Sequence, residues 1–283
     1  MIRKAEDKDI PAMMAFLEGR IESSMFLLGN LEQFGVDNRT HPHGTAFFLR
    51  ETGDGITGIF GATNGGMLLS QLPGIGATEA QTYAHLLQGY VLRGMTGEAE
   101  QVATILEALP FEADALGVND VDPLYTIDLA QVGESDAVVR APQESDKALL
   151  MTWFQQLDED NGLGEGGDMR PLDLRADEAI AAETVWLLEG EDGPVAMSAV
   201  NAHAGLAVQI GGVFVRRDRR GEGLAATVVA AQLAELRGEG IARAILFAGS
   251  ERAARIYEGI GFQRAGDYRV ALLDPPVQLG SPR

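Results

Sequence analysis

The chain of 283 residues is 46% hydrophobic and 23% charged, with 42 acidic against 22 basic residues and a formal net charge of −20. Such a chain buries a sizeable core as one large or two ordinary domains. The acidic excess argues against a broad nucleic-acid surface, whose phosphates it would repel; it is compatible with a cationic amine substrate, and its simplest reading is a solvated surface that aids solubility. With no cysteine present, disulfides, thiolate metal sites and a cysteine nucleophile are all excluded. No apolar run approaches the ~18–20 residues of a membrane span. The opening MIRKAEDKDIPAMMAFLEG interrupts its apolar residues with charge too early for a signal peptide, so a cytoplasmic protein without a membrane partner is expected.

Apolar periodicity and turn residues predict a strand at Ile2–Ala5 and helix over Asp9–Leu31. Three strands follow at Ala46–Glu51, Ile56–Ala62 and Met67–Leu72, separated by Gly53-Asp54-Gly55 and Gly65-Gly66. A helix over Glu79–Leu92, a strand at Arg93–Gly97, a helix over Glu100–Ala108 and a strand at Leu124–Leu129 complete the first half. The polar stretch Gln131–Asp136 reads as a join, dividing the chain into domains 1–135 and 136–283.

The second half repeats the order of the first. It has a strand at Val138–Ala141, helices over Asp146–Asp158 and Leu174–Glu183, and strands at Thr184–Glu189, Pro194–Ala202 and Leu206–Val215. A helix over Gly223–Gly238, a strand at Ala244–Ala248, a helix over Ser250–Gly259 and a strand at Phe262–Leu273 end it. The glycine-rich Asn161–Asp168 reads as a mobile loop over one face of the second domain. The tail from Asp274, with Pro275-Pro276, reads as frayed.

Chemistry concentrates in VFVRRDRRGEGLA, Val213–Ala225, where an apolar strand gives way to an apolar-periodic helix striped by Ala225, Val229, Leu233 and Leu236. Glycines in such a turn let main-chain N–H groups approach a ligand, the helix adds its positive dipole end and arginines add charge: together, a socket for a phosphate-bearing cofactor. Gly211-Gly212 inside the preceding strand marks a bulge or a close approach to the backbone. A strand splayed there frees N–H and C=O groups for an extended amide-bearing ligand.

IGGVFVRRDRRGEGLA resembles the cofactor motif of the GNAT superfamily of acyl-CoA-dependent N-acyltransferases. Arg220, Gly223 and Ala225 stand at the signature Arg/Gln-x-x-Gly-x-Gly/Ala positions, and Val213 and Val215 at the strand positions. Downstream, SERAARIYEGIGF resembles the second signature through Tyr257, Gly261 and Phe262. The resemblance implies an α+β class with two GNAT-like domains, each a mixed, mostly antiparallel sheet flanked by helices. It implies acetyl-CoA as acyl donor; separately, no constellation of metal ligands stands out in the sequence, so no metal is expected. The amides of Arg220, Gly221, Glu222, Gly223, Leu224 and Ala225 would bind the pyrophosphate, the backbone of Val213, Phe214 and Val215 would pair with the pantetheine arm, and Tyr257 would lie near the sulfur. Ser250 replaces the family's frequent Asn beside the cofactor arm; serine serves there as a helix N-cap. Arg216, Arg217 and Arg219 are either partners of the remaining phosphate or members of a solvated turn.

Tyr257, with a reference pKa near ~10, is the candidate general acid toward the departing thiolate. No general base is apparent. Gln209 stands where a carboxylate would serve, His203 lies in the turn before the strand, and Glu165 and Asp168 belong to the glycine-rich loop. The first half lacks the equipment: LPGIGATEAQ has no arginine, and Gly74-Ile75-Gly76 reads as an ordinary turn. His41 and His43 have no matching pair of downstream ligands. The expected function is acetyl-CoA-dependent N-acetylation of a small or amino-acid-like amine, with no nucleic acid bound. An idle acyl-CoA-binding module that recognises a partner is the alternative, and a tRNA-dependent tandem enzyme is disfavoured by charge.

Overall fold

The computed structural model describes residues 1–111, 113–160 and 170–280. They form two compact units, Met1–Leu124 with Ala265–Arg283, and Tyr125–Arg264.

The first unit opens with β1 (Ile2–Lys4), α1 (Ile10–Glu18) and α2 (Ile21–Phe34). The single helical stretch expected here is two helices, because Gly19 caps the first and Arg20, at φ −140°, leaves helical geometry before the second. The strands β2 (Thr45–Thr52), β3 (Gly55–Thr63) and β4 (Met67–Gln71) precede α3 (Ala77–Leu86). The helix expected to reach Leu92 stops early: Gly89 turns the chain at φ 89°, and β5 (Val91–Glu98) buries Leu92 in the sheet. After α4 (Ala99–Ala108), β6 (Leu116–Asp128) carries the chain into the second unit.

There β7 (Val139–Arg140), α5 (Lys147–Asp160) and α6 (Leu172–Ala181) lead to the hairpins of β8 (Val185–Gly190), β9 (Gly193–Ala204) and β10 (Ala207–Val215). Then come α7 (Leu224–Gly238), β11 (Arg243–Phe247), α8 (Glu251–Ile260) and β12 (Gln263–Gln278), which returns to the first unit at Ala265. The expected loop Asn161–Asp168 lies outside the described residues.

Strands run β1-β2-β3-β4-β5-β12-β6 in the first unit and β6-β11-β10-β9-β8-β7 in the second. Pairing is mostly antiparallel, with parallel β4–β5 and β10–β11, so the expected α+β class holds. The two halves exchange their last strands. β6 follows the helices of the first half yet ends beside β11, while β12 follows α8 yet pairs with β5 from Tyr268↔Glu98 to Gln278↔Val91. The polar join Gln131–Asp136 therefore lies inside the second unit, and the crossings fall within strands.

The exchange also corrects the frayed tail. Pro275-Pro276 is absorbed in a register shift between Leu272 and Val277, after which Leu279 is buried and its N–H donates to the Tyr90 carbonyl at 2.9 Å.

In the second unit, Leu187 and Met197 join Trp153, Phe154 and Phe214 under α5 and α6, while their neighbours Leu188 and Ala196 join Val229, Leu233 and Tyr257 under α7 and α8. The period of two along each strand thus divides two apolar layers.

A repeated clasp fixes the start of each half. Arg3 holds Asp9 through two bonds of 2.6 and 2.8 Å and Glu51 at 2.8 Å. Arg140 holds Asp146 at 2.6 and 3.1 Å and Glu189 at 2.5 Å. Each aspartate also accepts the N–H of the residue three before it, from Glu6 and from Gln143. Hydrogen bonding to Arg3 holds the Asp9 carboxyl down at about 2, and Arg140 lowers Asp146 likewise.

Candidate active site

The central feature is where β10 leaves β11. The two pair in parallel over Ala207–Gln209 and Arg243–Ile245, whereas β10 stays with β9 to Val215↔Ala196. The register on β9 shifts twice, between Gln209 and Ile210 and between Gly211 and Phe214. Gly212 sits at φ 58°, a conformation that favours glycine. This bulge reverses the strand's facing. Ile210 and Val213 both pack toward α7 and α8, and Phe214 turns to the opposite layer, 5.5 Å from Trp153. Of the two readings the sequence left open for the glycine pair, a bulge is the one the register shows.

Beyond Val215, Arg217–Arg219 forms a short 3-10 turn and the chain enters α7 through Gly221 at φ 89° and Gly223 at φ 80°. Both glycines face open space: among the described residues, chain neighbours aside, no atom lies within 4 Å of the position a Cβ would take. Among the described residues no side chain caps the first turn of α7. Its N–H groups are therefore available to an acceptor, as an anion socket requires.

The arginines do not stand free. Arg216 binds Asp218 at 2.8 Å, Arg219 binds Glu222 at 2.7 Å, and Arg217 binds Glu159 and Asp160 at 3.0 Å each. Arg220 braces the turn: its Nε donates to the Val215 carbonyl at 3.3 Å, its terminal nitrogen holds Asp160, and its guanidinium lies 5.5 Å over the Phe214 ring. Asp160, at the end of α5, is kept below its ordinary range by Arg220 and Arg217 against the opposing effect of its burial. Its part was missed in the sequence, where nothing ties α5 to the turn.

Tyr257 lies on α8 in the same apolar layer as Val213, Val215 and Leu224, edge-on to Phe262 with ring centres 6.0 Å apart. Burial pushes its phenol up to about 12. No hydrogen bond to its hydroxyl occurs among the described residues. Ser250 caps α8, its Oγ accepting from the Ala253 N–H at 3.2 Å.

Gln209 is buried and donates to the Ile210 carbonyl at 3.3 Å. His203 is exposed within β9 opposite Val208, not in the turn where the sequence put it. Glu165 and Asp168 lie outside the described residues. Asn201, which sequence reasoning passed over, lays its carboxamide on Gly211.

Among the described residues, the first unit lacks the bulged, parting strand of this site. β4 keeps an unbroken register with β3 and pairs with β5 over Met67–Ser70, so it neither bulges nor parts from its parallel neighbour. Arg50 closes the turn that follows, donating to the Pro73 carbonyl at 2.8 Å and to Glu79 at 3.1 Å. Glu79 puts a carboxylate in the first turn of α3, where a phosphate would be repelled.

A bulged strand that parts from a parallel neighbour and feeds a glycine turn is the local geometry that the sequence motifs suggested. Residues 181–264 match the family model described as an acetyltransferase (GNAT) domain. The chain as a whole has the fold of tandem GNAT proteins. Among solved structures, a GCN5-related N-acetyltransferase from Sphaerobacter thermophilus matches with TM-score 0.56 at 18% identity, over 100% of this chain and 97% of its own. A GNAT-family acetyltransferase from Colwellia psychrerythraea gives 0.51 at 14%, over 96% and 99%. A tandem GNAT protein from the clavulanic acid biosynthesis pathway gives 0.52 at 11%, over 100% and 99%. No curated protein matches the chain in sequence.

Proposed function

We propose that the second unit is an acetyl-CoA-dependent N-acetyltransferase acting on a small or amino-acid-like amine. The observation that carries this reading is the parting of β10 from β11 at the Gly211-Gly212 bulge, directly before the open turn Gly221–Gly223. The N–H groups of Gly221, Glu222, Gly223, Leu224 and Ala225, with Arg220 bracing them, would hold the diphosphate. The backbone of Val213, Phe214 and Val215 would pair with the pantetheine arm, and Ser250 would flank it. Acetyl-CoA supplies an activated acyl thioester.

The chain's part is to position and protonate. As the amine nitrogen bonds to the acyl carbon, the C–S bond breaks and its electron pair leaves with sulfur. Tyr257, held protonated by burial, gives sulfur its proton and regains one from solvent, and the amine loses its proton to solvent. Gln209 accepts no proton at neutral pH, so the amine must reach the site uncharged.

Calorimetric titration with acetyl-CoA, followed by thiol release against a panel of primary amines, tests the proposal. Tight binding without thiol release for any amine would favour the idle binding module, for which the buried amide of Gln209 in place of a carboxylate speaks.

A further inference from the structure

Two neighbouring strands are irregular at one point. Pairing of β10 with β9 passes from Gln209↔Ala202 to Ile210↔Val200 and skips Asn201. The skipped residue is exposed, and its side chain folds onto Gly211, where a Cβ would come within 2.1 Å of Nδ2 and 2.9 Å of Cγ. The two glycines of the bulge therefore have different causes. Gly212 is required by its backbone, at φ 58°, whereas Gly211 has no positive φ and leaves space into which the Asn201 carboxamide folds, space an added Cβ would take from it. No hydrogen bond to that carboxamide occurs among the described residues. A neutral donor thus lies over the bulge with its N–H groups uncommitted among the described residues.

We propose that Asn201 is a catalytic residue whose Nδ2–H donates to the carbonyl oxygen of the acyl thioester, beside the main-chain N–H groups of the Gly211-Gly212 bulge. The inference rests on the acyl-CoA reading above. With the diphosphate at Gly221–Ala225 and the arm along Val215–Val213, the acyl end meets Gly212 and Gly211 next. As the amine nitrogen forms its bond to the carbonyl carbon, the C=O electron pair moves onto oxygen, and a donor aimed there stabilises that charge. The pair returns as the C–S bond breaks and its electrons leave with sulfur. An amide needs no change of protonation to do this, and here it gives up no protein partner. In a site without a carboxylate base on β10, polarising the electrophile is chemistry the strand region can supply.

The test compares wild type with Asn201→Ala and Gly211→Ala, the second expelling the carboxamide by the added Cβ. Calorimetry with acetyl-CoA and isotope-edited infrared spectra of the bound 13C-labelled acetyl carbonyl are recorded for each, with thermal melts to confirm folding. Acetyl-CoA affinity should stay within about threefold. The carbonyl band, lowered in wild type, should return toward its position in free acetyl-CoA in both variants. Thiol release should fall by about 10²–10³, the cost of deleting one such donor. A band identical in wild type and Asn201→Ala, with acetyl-CoA bound to both, overturns the role of Asn201 alone. Failure of wild type to bind acetyl-CoA overturns the acyltransferase reading and this inference with it.

Discussion

Tyr257→Phe separates catalysis from packing with unusual clarity, because the hydroxyl it deletes is one the fold does not use. Tyr257 is 9% exposed, its ring packs against Phe262, and its hydroxyl finds no partner among the described residues. Removing that oxygen breaks no protein hydrogen bond, so stability should change by less than about 1 kcal/mol. Truncation of the same ring to alanine should cost about 3–5 kcal/mol. Loss of a general acid, by contrast, should slow turnover by about 10²–10⁴. The assay pairs thermal melts with thiol release from acetyl-CoA and a calorimetric binding constant. The expected pattern is a melting temperature near wild type, an unchanged binding constant and a collapsed rate. The phenol's position near 12 adds a pH signature. It holds its proton throughout neutral and mildly alkaline pH, so no loss of rate there belongs to it. Above pH ~10 tyrosine ionises in the unfolded chain while the folded one keeps its proton, which favours unfolding until about pH 12. Tyr257→Phe should remove part of that alkaline destabilisation. Unchanged turnover would refute the acid role; a large fall in melting temperature would show that the hydroxyl is structural.

The two clasps should fail in acid. Asp9 is depressed to about 2 and Asp146 is lowered, so their stabilisation is complete above pH ~4 and disappears as pH falls toward 2; Asp9→Asn should flatten that limb in acid-denaturation curves by about 1–2 kcal/mol. A fragment spanning 136–283 lacks β6 and with it the buried Tyr125, Ile127, Leu129 and Val132, and should aggregate, as size-exclusion chromatography would show; a monomeric fragment with a cooperative melt would contradict the importance of the exchanged strand. Gly223→Val forces a β-branched residue toward φ 80°, at a cost of about 1–3 kcal/mol, and should weaken acetyl-CoA binding at least tenfold by calorimetry.

What was legible in the sequence was whatever depends on neighbours along the chain. The strand–turn–helix of Val213–Ala225 is announced by an apolar strand, two glycines and a helical stripe, and Ser250 by its capping chemistry; both stand as read. What was not legible depends on residues far apart. Nothing local in LGVNDVDPLYTID says that β6 begins at Leu116, since Asn119, Asp120 and Pro123 are turn residues; the strand persists there because β12 lies beside it and Arg269 reaches Asn119 at 2.9 Å. Pro275-Pro276 likewise suggests a frayed end until β5 is seen to offer an edge. The clasp could have been found, since Arg3 and Asp9 are spaced as Arg140 and Asp146 are, but its significance appears only when Glu51 and Glu189 arrive from the next strand of each half.

The arginine cluster shows how far a local reading of charge can mislead about mechanism. Along the chain, Arg216, Arg217, Arg219 and Arg220 look like a cationic patch in an acidic protein. In space, Asp218 and Glu222 answer two of them, and Glu159 and Asp160, delivered by the end of α5, answer the others. The patch is close to neutral. A diphosphate held there would gain most from what the carboxylates cannot cancel: the uncapped N–H groups of α7, the two glycines that keep space open above them, and the helix dipole. The guanidinium groups contribute differently. Arg220 ties Val215 to Asp160 across the turn and so fixes the backbone from which those N–H groups project. Exposed ion pairs of this kind are worth at most about 1 kcal/mol each, little enough for a phosphate to exchange with a carboxylate without unfolding the turn. The specificity of the socket then lies in main-chain geometry: the first unit's turn also has two glycines facing open space, Gly74 and Gly76, and differs by its Arg50–Glu79 closure and by a preceding strand that neither bulges nor parts from its parallel neighbour.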